Sequence, residues 1–127
     1  ILARAEADAA RANEALLLNT DGFVIEGASS NLFWIAGQTV HTPPLVSGIL
    51  PGVTRAVVLE LCRRRGFRTR MQNITPAKLR SAAGIFVSLS SYGIVETQSL
   101  DRHRLPPSAI ARLLQADYAE MLRNETR

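Results

Sequence analysis

Lysine is almost missing from this sequence: Lys78 stands alone against fourteen arginines in 127 residues. Chemistry that needs a neutral side-chain amine therefore has one candidate in the chain. Cysteine is nearly absent too. With Cys62 alone, no internal disulfide can form, and a reducing compartment suits the chain. No apolar run is long enough to cross a bilayer as a helix, and nothing at the start has the pattern of a secretory signal. His41 and His103 lie far apart, with no Cys or carboxylate at metal-ligand spacing, so no metal site is expected. The basic run RRRGFRTR, residues 63–70, has no interleaved aromatic platform and suits a helix C-terminus, where cations oppose the dipole. Nucleic acid is therefore not an expected partner. What is present is ordinary globular material, with 46% hydrophobic residues, 20% charged residues and a net charge of +4. The expectation is one soluble, cytoplasmic domain spanning residues 1–127.

The opening ILARAEADAARAN is alanine-rich and reads as helix with no capping residue before it, as though the chain starts inside a helix and is a fragment lacking an N-terminal portion. EALLLNTDGFVIEG reads as two strands around Asn19, Thr20, Asp21 and Gly22. NLFWIAGQTVHTPPL reads as a second hairpin, turning at Ala36, Gly37 and Gln38 and stopped by Pro43 and Pro44. VSGILPGVTR leads into a helix over Arg55–Arg65, whose apolar face is Val57, Val58, Leu61 and Cys62 and which ends at Gly66. A short helix starts at Thr75 and Pro76 and ends near Ala83. GIFVSLSSYGIVETQSL reads as strand, serine-rich bend, strand. An amphipathic helix from Pro107 to about Arg123 carries the stripe Ile110, Leu113, Leu114, Tyr118, Met121 and Leu122. The fold class is α+β, with hairpins supplying a mixed sheet or barrel flanked by helices.

Each polar cluster has a bland reading. Glu26 suits an exposed strand end, Ser29, Ser30 and Asn31 a turn, Thr54 a helix cap, and Ser88 to Ser91 a polar bend. Together they say more. A glycine loop feeding a helix N-terminus presents free N–H groups and the positive end of a dipole, which makes a phosphate cradle. The hydroxyls of Thr54 and Ser90 can add donors to the same anion. A carboxylate held on an apolar strand can keep a ring nitrogen protonated. A phosphate site with a carboxylate for a pyridinium is what pyridoxal 5'-phosphate requires.

The order EGASSNLF, TPPL, GILPGVTR and FVSLSS resembles the fold-type IV pyridoxal-phosphate enzymes, the class IV aminotransferase family. Its members include branched-chain and D-amino acid aminotransferases and aminodeoxychorismate lyases. The likeness runs from about Glu14 to Leu100, and the pairing of E-G-x-x-S-N-[LIV]-F with L-x-G-[IV]-T-R is its strongest part. It implies a D-amino acid aminotransferase-like large domain in which Glu26 pairs with the pyridinium nitrogen. It further implies that Leu50 packs on the ring. Gly52 and the amides of Val53 and Thr54, with the Thr54 hydroxyl and Ser90, hold the phosphate. Ser30 and Asn31 line the ring, and Ser91 faces the substrate carboxylate.

The family's Schiff-base lysine precedes the glutamate by more residues than stand before Glu26, and Lys78 falls after the phosphate loop. The resemblance therefore implies a cofactor-binding C-terminal domain whose N-terminal domain and catalytic lysine are elsewhere, inert by itself and homodimeric in the whole enzyme. A non-catalytic cofactor-binding relic is the other class of reading. Within the family the loop SSYGIVETQSLDRHRL, in place of an E-[IV]-T-P run, is most like the lyases. The expected activity is then release of pyruvate and 4-aminobenzoate from 4-amino-4-deoxychorismate in folate biosynthesis, with a branched-chain or D-amino acid aminotransferase as the alternative.

Overall fold

The computed structural model describes residues 2–7, 13–18, 21–27, 31–44, 53–89, 93–100 and 103–125. In chain order these form β1 (Leu2–Ala7), β2 (Asn13–Leu18), β3 (Val24–Gly27), β4 (Asn31–Ala36), β5 (Thr39–Thr42), α1 (Val53–Arg65), β6 (Arg68–Met71), α2 (Pro76–Leu79), β7 (Gly84–Leu89), β8 (Gly93–Leu100), β9 (His103–Arg104) and α3 (Ala109–Glu125). The nine strands make one sheet in the order β3-β2-β1-β8-β7-β4-β5-β6, with β9 beside β8. Because β3 also pairs with β4, the six antiparallel strands β3-β2-β1-β8-β7-β4 close into a ring. β5 and β6 continue outward from β4 as a flap whose own pairing is parallel. The expected α+β barrel flanked by helices is what forms.

The start of the chain departs from its reading. Residues 2–7, expected as helix, are strand β1, paired antiparallel with β2 on one edge and with β8 on the other. Alanine's helix preference is under 1 kcal/mol per residue over most others. Ladders on both edges give the backbone groups of this stretch partners that a lone, uncapped helix would lack at its ends.

β4 explains the run NLFWIA. Strand side chains alternate between faces, and here both faces are covered, so the strand shows no polar alternation. Leu32 and Trp34 join Val24, Ile74, Leu79, Ile85, Val87, Val95, Leu100 and Leu105 in one cluster. Phe33 and Ile35 join Phe86 and Ile94 in another, under α1 (Val58, Leu61, Cys62) and α3 (Ala111, Leu114, Tyr118). Phe33 and Phe86 are cross-strand partners whose rings stack at 4.9 Å and 7°. Gly37, at φ 63°, turns β4 into β5 with Ala36 opposite Thr39, so the two-residue loop is Gly37-Gln38.

The helices follow the reading with local corrections. α1 begins two residues before the expected Arg55. α2 has its expected Thr75 cap, whose hydroxyl accepts from the Lys78 N–H, but ends at Leu79 and not near Ala83. α3 buries Ala111, Leu114 and Tyr118, while Leu113 (40% exposed) and Leu122 (43%) of the expected stripe face outward. Tyr118 packs where a Cβ at Gly93 would stand, 2.6 Å from its ring, so only glycine fits that start of β8.

Candidate functional site

α1 is built to present its N-terminus. Its last turn carries Arg63, Arg64 and Arg65, which complement the negative end of the dipole. Gly66, at φ 75°, closes that end, with its N–H on the Arg63 carbonyl and the Phe67 N–H on the Cys62 carbonyl. The first turn has no acidic residue. Val53 is 85% exposed and Thr54 half-buried. The residue before the helix is Gly52, which has no side chain with which to cap it. Among the described residues no side chain caps these leading N–H groups, which makes them available to an anion.

The third residue of α1 fixes where that end sits. Arg55 is 7% exposed, and its Nη2 donates to the Pro43 carbonyl at 3.3 Å and to Met71 Sδ at 3.1 Å. Pro43 follows the last residue of β5, and Met71 ends β6. β5 runs antiparallel to β4 (Trp34 opposite His41), so the end of β5 lies beside the start of β4. Thr42 Oγ1 ties the two together, donating to the Leu32 carbonyl at 2.7 Å. The N-terminal turn of α1 is thus anchored to the end of the sheet where β4 begins and β7 ends.

At that end the ladder registers form a row. Leu17 stands opposite Glu26, Glu26 opposite Asn31, Asn31 opposite Ser88, and Ser88 opposite Ile94. By the two-residue period, Asn31 and Ser88 lie on the face of Phe33 and Phe86, the face that α1 covers. The structure therefore places the Glu26 and Asn31 positions side by side and puts Val53 and Thr54 at the helix end on the same side of the sheet. Ser30, Leu50, Gly52, Ser90 and Ser91 lie outside the described residues.

Two residues without a named role belong to this neighbourhood. Ser88 is 2% exposed, and its Oγ has no hydrogen-bond partner among the described residues. A serine in the row of an apolar strand, GIFVSL, was the signal, masked by reading Ser88 to Ser91 as one bend. Arg55 was legible only as the last letter of a motif. Its guanidinium is desolvated, which lowers its pKa, and its Nε lacks a partner among the described residues. A guanidinium keeps its proton in proteins all the same. A buried cation beside a helix N-terminus makes this end strongly positive.

The remaining reactive types lie elsewhere. Cys62 is fully buried under α1, and burial pushes its thiol up to about 11, which suits packing and not nucleophilic work. His41 stacks on Trp34 at 5.4 Å and 9°. Burial and then the Arg70 charge hold its pKa below the ordinary value, against a hydrogen bond to Gln72 that raises it. Lys78 lines a cavity of about 370 Å³ with Trp34 and His41. Trp34 is on the opposite face of β4 from Asn31, so the sequence's one lysine is not part of the row. His103 is exposed in β9. Among the described residues no cluster of His, Cys, Asp and Glu could hold a metal, and no helix is long and apolar enough to cross a membrane.

Residues 1–100 match the amino-transferase class IV family. The chain resembles the crystal structure of 4-amino-4-deoxychorismate lyase from Pseudomonas aeruginosa with a TM-score of 0.81 and 32% identity, over 89% of this chain and 42% of that one. It superimposes equally well on the branched-chain aminotransferase from the thermophilic archaeon Thermoproteus uzoniensis, solved with norvaline. There the TM-score is 0.83 and the identity 30%, over 87% of this chain and 38% of that one. In sequence it is 28% identical to D-alanine aminotransferase of Bacillus licheniformis over 129 aligned residues, 99% of this chain and 45% of the relative. The chain belongs to the class IV aminotransferases, a family of pyridoxal-phosphate-dependent enzymes. It spans less than half the length of these relatives.

Proposed function

We propose that this chain is the cofactor-binding portion of a pyridoxal-phosphate-dependent 4-amino-4-deoxychorismate lyase, which releases pyruvate and 4-aminobenzoate for folate synthesis. The observation that carries the cofactor reading is the coincidence, at one end of the sheet, of the Glu26–Asn31–Ser88 row with the N-terminus of α1. The residues fit the group. A phosphate suits helix N–H groups with no acid beside them, and a pyridinium suits a carboxylate at a strand position beside the polar Asn31. The orphaned Ser88 hydroxyl marks polar capacity that the protein itself does not use.

The cofactor, when bound, supplies an electron sink for bond breaking at the substrate's α-carbon. Glu26 holds the proton at the ring nitrogen that keeps this sink effective. The amides of Val53 and Thr54, the Thr54 hydroxyl and Ser90 bind the phosphate, and Gly52 admits it close to the backbone. Leu50 packs on the ring, Ser30 and Asn31 line it, and Ser91 orients the substrate carboxylate. The lysine that the family uses is not among the 127 residues in this reading. Activity belongs to a longer, cytoplasmic, homodimeric polypeptide, and these residues alone turn nothing over.

The lyase is favoured by β8, which runs unbroken from Gly93 to Leu100 through GIVETQSL, where the aminotransferases tend to carry E-[IV]-T-P. The second reading, an amino acid aminotransferase, is favoured by the alignment with D-alanine aminotransferase along almost the whole chain. The test supplies aminodeoxychorismate to the full-length protein loaded with pyridoxal phosphate and follows 4-aminobenzoate by fluorescence. Rapid formation supports the lyase. No formation, with the cofactor bound, moves the assignment to the aminotransferase.

A further inference from the structure

We propose that Arg55 is a positioning residue for the phosphate cradle: it holds the first turn of α1 against the ends of β5 and β6, so that Thr54 and the leading N–H groups converge on one phosphate. The inference rests on the pyridoxal-phosphate reading above. Three observations lead to it. Arg55 is buried, yet neither of its acceptors is a carboxylate: they are a backbone carbonyl and a thioether. The ion pairs of α1, Arg63 and Arg64 with Glu60 and Arg65 with Asp117, belong to the opposite end of the helix. Finally, its bonds cross from α1 to two different strands, 12 and 16 residues away in sequence.

A desolvated cation with no carboxylate partner among the described residues is costly where a simple apolar contact would hold the helix as well. Its placement makes sense if the positive end it creates is answered by a ligand anion. The guanidinium fork can reach two acceptors at once, which an ammonium cannot do in the same plane. Removing it should let the α1 terminus shift against the row, so the cofactor's phosphate loses donors while the ring contacts at Glu26 and Asn31 remain.

The experiment compares two probes on the full-length protein, pyridoxal 5'-phosphate and pyridoxal, which lacks the phosphate. Dissociation constants are measured by titration of cofactor absorbance, with thermal melting alongside. In Arg55→Met, affinity for pyridoxal phosphate is expected to fall about tenfold or more, the usual weight of a charge-assisted contact, with pyridoxal affinity unchanged. Arg55→Lys keeps the charge and is the milder second variant; it should lose severalfold on pyridoxal phosphate alone. A ratio of the two affinities equal to the parent's, in whichever variants fold, overturns the positioning role even if melting drops. A parent that binds both probes equally well overturns the phosphate cradle itself, and the role of Arg55 with it.

Discussion

α1 and α3 cover the same face of the sheet, over Phe33 and Phe86, but their N-termini are finished in opposite ways. At α3, Ser108 Oγ accepts the Ala111 N–H at 3.2 Å, and Glu96 on β8 takes the Ser108 N–H at 2.7 Å while also reaching Arg112. The helix end is closed by the protein's own hydroxyl and carboxylate. α2, too, has a capping hydroxyl, from Thr75. α1 instead follows a glycine and keeps a buried arginine in its first turn. A helix whose role is packing has its free N–H groups satisfied from within, whereas one that serves a ligand leaves them open and surrounds them with the ligand's opposite charge.

The largest expected effect separates the two carboxylates. Glu26→Ala in the full-length enzyme should cost about a hundredfold or more in kcat, as for loss of a preorganised charge partner, with little change in melting; undiminished turnover would remove Glu26 from its assigned role. Next, Thr54→Asp would finish α1 in the manner of α3. It should stabilise the cofactor-free protein by about 0.3–1 kcal/mol through the dipole. It should also weaken pyridoxal phosphate binding by on the order of a hundredfold through like-charge repulsion. Melting reads the first effect and dialysis the second. Glu96→Ala is the mirror experiment. Denaturant unfolding should show about 1–3 kcal/mol lost from the unpaired Ser108 N–H, with cofactor affinity unaltered.

Smaller effects test the packing side alone. Ser108→Ala removes the α3 cap and should cost about 1 kcal/mol, without touching turnover. The bidentate Arg65–Asp117 pair at 2.8 Å and 2.9 Å joins the C-terminal end of α1 to the middle of α3. Its hydrogen bond to Arg65 holds the Asp117 carboxyl below the ordinary aspartate range. The pair therefore adds stability above the ordinary aspartate pKa near 4, lost as pH falls through the lower folded value. Being largely exposed, it is worth about 0.2–1 kcal/mol; Asp117→Asn should flatten that acid limb of the stability curve, and an unchanged limb would assign the effect to other carboxylates.

What the sequence disclosed follows how local the cause was. The Gly37-Gln38 hairpin, the Thr75 cap and the stop at Gly66 are set by residues at the spot, and all three are where turn and cap chemistry puts them. β1 was misread because its strand state depends on β8, more than ninety residues away at Ala5 opposite Leu100. β6, RTRM, has every side chain exposed and so carries no burial pattern to detect. The α3 stripe was too wide because Ala111, small but fully buried, marks its centre better than Leu113 does. In the candidate site, Glu26, Asn31 and Thr54 are proposed from motif order, whereas Ser88 and Arg55 acquire meaning only from the register and from the two strand ends that Arg55 reaches.

The double-sided pairing of β1 also sets a timetable. A ribosome delivers β1 and β2 well before β8, and the partner for the other edge of β1 is not complete until residue 100 has been made. Through that interval the newborn hairpin carries an open edge, the sort of surface that invites pairing with another molecule. Synthesis of β8 ends the exposure. The yield of active protein in a cell should then depend on how quickly elongation passes through the intervening helices, a kinetic liability written into a ring whose two halves meet across most of the chain.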